Sequence, residues 1–132
     1  MGADYRTETG YKHSEITGKI IGAAYKIHGV LGWGFLEKVY ENALAMELKR
    51  EGLEVGQQCP VTVRYEGEVV GEYLADLVVD GKVVVEVKAV SDLELAHEVQ
   101  LVNYLKATGI EVGLLLNFGR QVEVRRKVFG QR

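Results

Sequence analysis

The chain has 132 residues, 47% of them hydrophobic, with one proline, one cysteine and a net charge of −3. This composition fits one compact domain able to bury roughly two-thirds of its unfolded surface, and it excludes a disordered chain. It also argues against a protein that holds nucleic acid by bulk electrostatics, though not against a metal-mediated contact with phosphate.

No apolar run reaches the roughly 18 residues that a membrane span needs, and Met1–Gly10 is too polar for a signal peptide. Cys59 alone can form no internal disulfide, so the expected setting is reducing and cytoplasmic.

Residues 1–12 read as a flexible lead-in. From His13 to Leu31, Ile16, Ile20, Ala23, Ala24, Ile27 and Leu31 recur at helical spacing, which predicts an amphipathic helix. His28 lies at the edge of that stripe and reads as structural, with a contact to the site as the other reading. Gly29, Gly32 and Gly34 then interrupt the helix. Their spacing matches neither a dinucleotide nor a P-loop fingerprint, so a turn is expected. The other reading is an anion site at the start of the next helix, where backbone N–H groups are free.

A second helix is expected from about Phe35 to Glu51, stopped by Gly52. Its apolar arc contains Leu36, Val39, Tyr40, Ala43, Leu44 and Leu48. Glu37 projects between Leu44 and Leu48, and Glu47 lies near the centre of the arc. Both carboxylates then need partners, and Glu37 is also favoured by the helix dipole.

Gln57–Tyr65, Glu72–Val79 and Lys82–Val90 read as a three-strand antiparallel meander, turning at Glu66-Gly67-Glu68 and at Asp80-Gly81. Pro60 suits a strand start or an edge. Within these apolar strands stand Asp76, Glu86 and Lys88. Charged groups there are costly to bury unless something binds or pairs them, and a hard divalent cation would serve. Glu86 and Lys88 share a face. A two-residue turn would send Asp76 to the opposite face. A three-residue loop with Gly81 in a left-handed bulge brings all three together, and that is the geometry expected here.

A third helix is expected from about Asp92 to Thr108, capped by Ser91 or Asp92 and ended by Gly109. His97, Gln100 and Tyr104 fall in one arc beside Leu101, and Gln100 and Tyr104 can reach the same neighbour. Leu95, Ala96, Val99, Val102 and Leu105 occupy the other faces, which predicts a heavily buried helix. Glu111–Asn117 reads as a strand covered on both faces, and Gln121–Phe129 as a last strand. Arg125, Arg126 and Lys127 make a short basic cluster.

Asp76, nine residues, then Glu86-Val87-Lys88 resembles the Asp…Glu-x-Lys pattern of the PD-(D/E)XK nuclease superfamily. Gln100-x-x-x-Tyr104 is similar to the Gln-x-x-x-Tyr element of its RecB-like exonuclease branch. Gly34-Phe-Leu-Glu37-Lys-Val-Tyr40 resembles the motif that names the GxxExxY family of small bacterial and archaeal proteins, as do the flanking residues 28–34 and 114–119. The similarity runs from roughly Ile16 to Val128. Ala75 stands where the superfamily often has a proline before its aspartate.

The resemblance implies a single domain over residues 1–132, with a restriction-endonuclease-like α/β core: a mixed central β-sheet flanked by α-helices. It implies a site on which Glu37, Asp76 and Glu86 hold Mg²⁺ or Mn²⁺. Lys88 would orient water or stabilise charge there, and Gln100 and Tyr104 would position the nucleic-acid backbone or the lysine. The implied function is that of a metal-dependent nuclease acting on phosphodiester bonds, with DNA as the expected partner. Small nucleases of this kind often work as homodimers or attached to helicases. Two other readings fit the same residues: a catalytically silent relative that binds nucleic acid or protein, and a structural ion-pair network of Lys88 with Glu86 and Asp76.

Overall fold

The computed structural model describes residues 12–130, so the expected lead-in lies, apart from Lys12, outside the described residues. The periodic segments become α1 (Ser14–Leu31), α2 (Glu37–Arg50), β1 (Val55–Tyr65), β2 (Glu68–Val79), β3 (Val83–Lys88), α3 (Leu95–Thr108), β4 (Val112–Phe118) and β5 (Val122–Val128). The strands form one sheet in chain order. All neighbours are antiparallel except β3 and β4. A parallel pair needs a long crossover, and α3 supplies it.

Helices cover both faces. Ile20 and Ala24 of α1 and Leu44 and Leu48 of α2 pack on Leu77, Val85 and Leu114. On the other face Leu101, Tyr104 and Leu105 of α3 pack on Val84 and Leu115. Strand β4, sandwiched between these layers, is buried along its whole length, as its apolar run predicts. The fold is the expected mixed sheet flanked by helices. No helix among the described residues is long and apolar enough to cross a membrane.

Two turns set the geometry of the meander. Glu66 and Gly67 have φ of 51° and 86° and join Tyr65 to its partner Glu68, a tight two-residue hairpin. Strand β2 therefore begins at Glu68, four residues before the expected start. Its first half is exposed and held by ladder bonds, so it carries no apolar pattern to announce it. Pro60 lies on β1, an edge strand, the position in a sheet where proline is best accommodated. At the second turn Val79 pairs with Val83, leaving Asp80, Gly81 and Lys82 as a three-residue loop. Asp80 and Gly81 are both left-handed, at φ 53° and 64°. The Asp80 carboxylate accepts the Glu54 N–H at 2.8 Å, and the Asp80 N–H donates to the Glu54 carbonyl at 2.8 Å. This two-point clamp fixes the loop against the chain entering β1.

Two expected faces are displaced. On α2 the buried stripe is Tyr40, Glu41, Leu44, Ala45 and Leu48, while Leu36 and Val39 are 80% and 39% exposed. On α3, Leu95 and Val99 are 74% and 49% exposed, so the helix is not heavily buried. Its apolar contact with the sheet centres on the Leu101–Leu105 stripe. Leu95 and Val99 instead face a groove shared with Val63, Val70 and Tyr73 of the β1–β2 hairpin. That hairpin runs on past the segment of β2 that pairs with β3.

The interrupted segment between α1 and α2 is a turn. The Tyr40 hydroxyl donates to the Gly32 carbonyl at 2.7 Å and accepts the Phe35 N–H at 3.3 Å. The Tyr40 ring stacks on Phe118 at 4.6 Å. Tyr40→Phe removes both hydrogen bonds and keeps the stack, so it is expected to lower stability by about 1–2 kcal/mol. Urea denaturation measures this, and unchanged stability would show that the hydroxyl does not hold the turn.

Candidate metal centre

Strands β2 and β3 pair through Leu77 and Val85, and the regular ladder ends there. The next residues in register are Asp76 and Glu86, and they are joined through their side chains. The Asp76 N–H donates to Glu86 Oε2 at 2.9 Å, and the Val87 N–H donates to Asp76 Oδ2 at 2.8 Å. Each carboxylate thus takes the place of a main-chain carbonyl and satisfies a donor that the ladder leaves open. The three-residue loop is what makes this possible, because it puts both side chains on one side.

The hairpin also rolls at this point. Leu77 and Val79 belong to the core under α1 and α2, whereas Ala75 and Val61 belong to the core under α3. Opposite Asp76 on β1 sits Gln58, with φ 52°. Among the described residues it is the one non-glycine with left-handed backbone inside a strand, a conformation that costs about 1–2 kcal/mol. This turn of the backbone accompanies a reach of the Gln58 amide nitrogen to Asp76 Oδ1 at 3.2 Å and to both Glu41 oxygens at 3.0 and 3.1 Å. Glu41 comes from α2 and is 3% exposed. It also accepts from Gln57 at 2.9 Å and from Lys38 at 3.1 Å.

Burial and like charge act together here. Burial, then Asp76, pushes Glu86 up to about 8; Glu41 adds to the rise, and the Asp76 N–H and Lys88 oppose it. Burial is also the main cause that raises Asp76, with Glu41 adding to it. The Val87 N–H, Gln58 and Lys88 work against that rise. Tyr104 is raised by burial first, then by Glu86 and Asp76, so its phenol lies within their field. Gln100 donates to the Tyr104 hydroxyl at 3.1 Å.

Lys88 is half-buried at the end of β3. Among the described residues it makes no ion pair within 4.0 Å. Its neighbour in register is Asn117, a buried side chain that brackets Val90. Asn117 Oδ1 accepts the Val90 N–H at 2.9 Å, and its Nδ2 donates to the Val90 carbonyl at 2.8 Å. The chain leaving Lys88 is therefore held as firmly as a strand.

Asp76 and Glu86 touch, Lys88 and Tyr104 act on them electrostatically, and Gln100 holds Tyr104. Glu37 stands apart from this group. It is exposed in the first turn of α2 and lines a different pocket with Trp33, Ser91 and Arg120. The α2 carboxylate joined to Asp76 through Gln58 is Glu41, one turn further on. Glu47 pairs with Lys26 at 2.8 Å, and His28 Nε2 contacts the Gly119 carbonyl at 2.8 Å. His97 Nδ1 accepts the Glu94 N–H at 3.0 Å, and Glu94, rather than Ser91 or Asp92, precedes the first turn of α3. None of these three contacts reaches Asp76 or Glu86. The basic cluster is engaged as well, Arg125 and Lys127 meeting Glu98.

Glu41 and Gln58 escaped the sequence reading. Glu37 shares the helical sector of Leu44 and Leu48 but stands in the exposed first turn of α2. Glu41 lies at the edge of the Tyr40, Leu44 and Leu48 stripe, one turn further on, where the helix is covered. Nothing local in β1 marks Gln58.

The donor set suits a hard cation: buried or half-buried carboxylate oxygens, with Asp76 and Glu41 both pushing the pKa of Glu86 upward. Among the described residues, no three carboxylate, imidazole or thiol groups already converge on one point at ligand distance. The Gln58 amide is bonded to Glu41 and to Asp76 at once.

The sequence matches the model of the PD-(D/E)XK nuclease superfamily over residues 14–127. Nucleases of that superfamily generally use divalent metals. No curated protein matches the sequence. The fold is similar to a solved structure titled "Crystal structure of SSO0001", with 19% identity and a TM-score of 0.54. The similarity covers 96% of this chain and 61% of that one, and at this identity it bears on the fold alone. The superfamily match spans every helix and strand that builds the Asp76–Glu86 site, and the chain belongs to the PD-(D/E)XK nuclease superfamily.

Proposed function

We propose that this protein is a divalent-metal-dependent nuclease of the GxxExxY type that hydrolyses phosphodiester bonds, with DNA as its substrate. The observation that carries the reading is the locked Asp76–Glu86 pair beside Glu41, with a lysine at its rim that is not consumed in an ion pair. A purely structural network would have engaged Lys88 directly.

Asp76, Glu86 and Glu41 would hold Mg²⁺ or Mn²⁺, Glu41 taking the part first expected of Glu37. When bound, such an ion stabilises charge on phosphate oxygens and lowers the pKa of its water. Lys88 orients the attacking water or stabilises charge on the phosphate. Tyr104, fixed by Gln100, positions the substrate backbone at the rim.

The direct test is Mn²⁺-dependent digestion of linear, circular, branched and single-stranded substrates. Asp76→Asn and Glu86→Gln keep the hydrogen-bond acceptors and are expected to abolish cleavage while leaving the fold intact. Cleavage that survives both substitutions rejects the proposal. Lys88→Ala is expected to lower turnover by about 10²–10³-fold, the loss typical of one group aimed at transition-state charge. Mn²⁺ affinity should change far less, and equal losses in both would contradict the role given to Lys88.

The raised pKa of Glu86 makes a prediction about the metal-free protein. Between its ordinary value of 4.5 and about 8, the folded state keeps a proton that the unfolded state releases. Stability therefore falls as pH rises across that window, by at most about 1.4 kcal/mol per pH unit, and levels off above it. Thermal melts from pH 5 to 8 in the presence of a chelator should show the decline, and Glu86→Gln should flatten it. Identical slopes in the two proteins would mean that Glu86 is not the group responsible.

A further inference from the structure

Gln58 contributes one NH₂ group, with two hydrogens, to three carboxylate oxygens at 3.0, 3.1 and 3.2 Å. The oxygens come from Glu41 on α2 and Asp76 on β2. We infer that the Gln58 amide occupies the place between these carboxylates that a cation takes, and that it must swing out for the ion to be held. This inference rests on the metal-dependent reading above.

The chemistry of an amide makes the two states exclusive. A group of anionic oxygens draws in the nitrogen end, whose hydrogens carry partial positive charge. A cation at the same place repels that end.

The surroundings allow the exchange. Glu41 keeps its bonds from Gln57 and Lys38 when Gln58 leaves, and Asp76 keeps the Val87 N–H. Gln58 lies on the edge strand, between the paired residues Gln57–Leu77 and Cys59–Ala75. Its left-handed backbone, at φ 52°, is a strained conformation that a return to extended geometry relieves. The strain and the misplaced amide are features of one residue, which is the arrangement a displaceable group needs. A strut that merely ties α2 to β1 has no use for a left-handed glutamine.

The measurement is Mn²⁺ binding by calorimetry to the full chain, alongside metal-free thermal melts. Gln58→Gly accepts the left-handed backbone and removes the amide. Gln58→Asn tolerates the same backbone and is one methylene too short to span both carboxylates. Both are expected to bind Mn²⁺ about tenfold more tightly than the natural chain, the order of one hydrogen bond to a charged group. If the glycine variant fails to fold, the asparagine variant decides. Gln58→Lys puts an ammonium among the same oxygens, so it should raise the metal-free melting temperature and abolish Mn²⁺ binding. Unchanged or weaker binding by the glycine and asparagine variants, while the natural chain binds, would overturn this inference and leave the metal reading standing. Failure of the natural chain to take up Mn²⁺, even with oligonucleotide present, would overturn both.

Discussion

The structure depends on the point where β2 and β3 stop pairing through their backbones and continue through two acids. An antiparallel ladder normally satisfies its own donors. Here the Asp76 and Val87 N–H groups are satisfied by Glu86 and Asp76 side chains instead. Two carboxylates this close and this buried repel each other, and the fold tolerates them because each also does the work of a missing carbonyl. Removing either acid outright would leave a main-chain donor without its partner. The Asp76–Glu86 pair, the candidate metal ligands, is therefore also a joint of the sheet, so substitutions there bear on the stability of the fold as well.

That joint is set by the turn before it. With Asp80, Gly81 and Lys82 in the loop, Asp76 and Glu86 come level and on one side. A loop shorter by one residue would turn every β2 side chain over relative to β3. The clamp between Asp80 and Glu54 holds the loop in its longer form. At the other end of β3, Asn117 holds Val90 by both of its backbone groups. Lys88 thus sits between a fixed turn upstream and a fixed exit downstream. Tyr40 plays the corresponding part for α2, tying its first turn to Gly32 and to Phe118. Rigid elements on three sides leave Gln58 as the strained residue of the centre.

Much of this was legible in the residues. Charges inside apolar strands are visible without a structure, and the parity argument required the loop length that is found. Gln100 and Tyr104 do meet, because a spacing of four on a helix admits few other outcomes. What was not legible depended on which side of a helix the fold covers. Leu36, Val39, Leu95 and Val99 are apolar yet exposed, and hydrophobicity alone counted them as core. Glu37 shares a helical sector with Leu44 and Leu48, so the pattern alone did not show that its end of α2 is exposed whereas Glu41 is buried. The left-handed turn at Gln58 has no local signature, because its cause is tertiary: the amide reaches for acids contributed by two other elements.

The electrostatics of the centre explain how one chain can keep three acids together without an ion. Four weaker groups share the neutralisation. Burial and the neighbouring Asp76 favour the protonated form of Glu86, whose pKa is pushed up to about 8. The Gln58 amide brings partial positive charge between Glu41 and Asp76. Ammonium groups stand at the edges, Lys38 on Glu41 and Lys88 facing the pair. Each is an incomplete substitute for a divalent charge. On the metal-dependent reading proposed above, two of them would have to move before such a charge entered: the proton would leave and the amide would turn away. Ion uptake would then be coupled to proton release and to the relief of strain in β1.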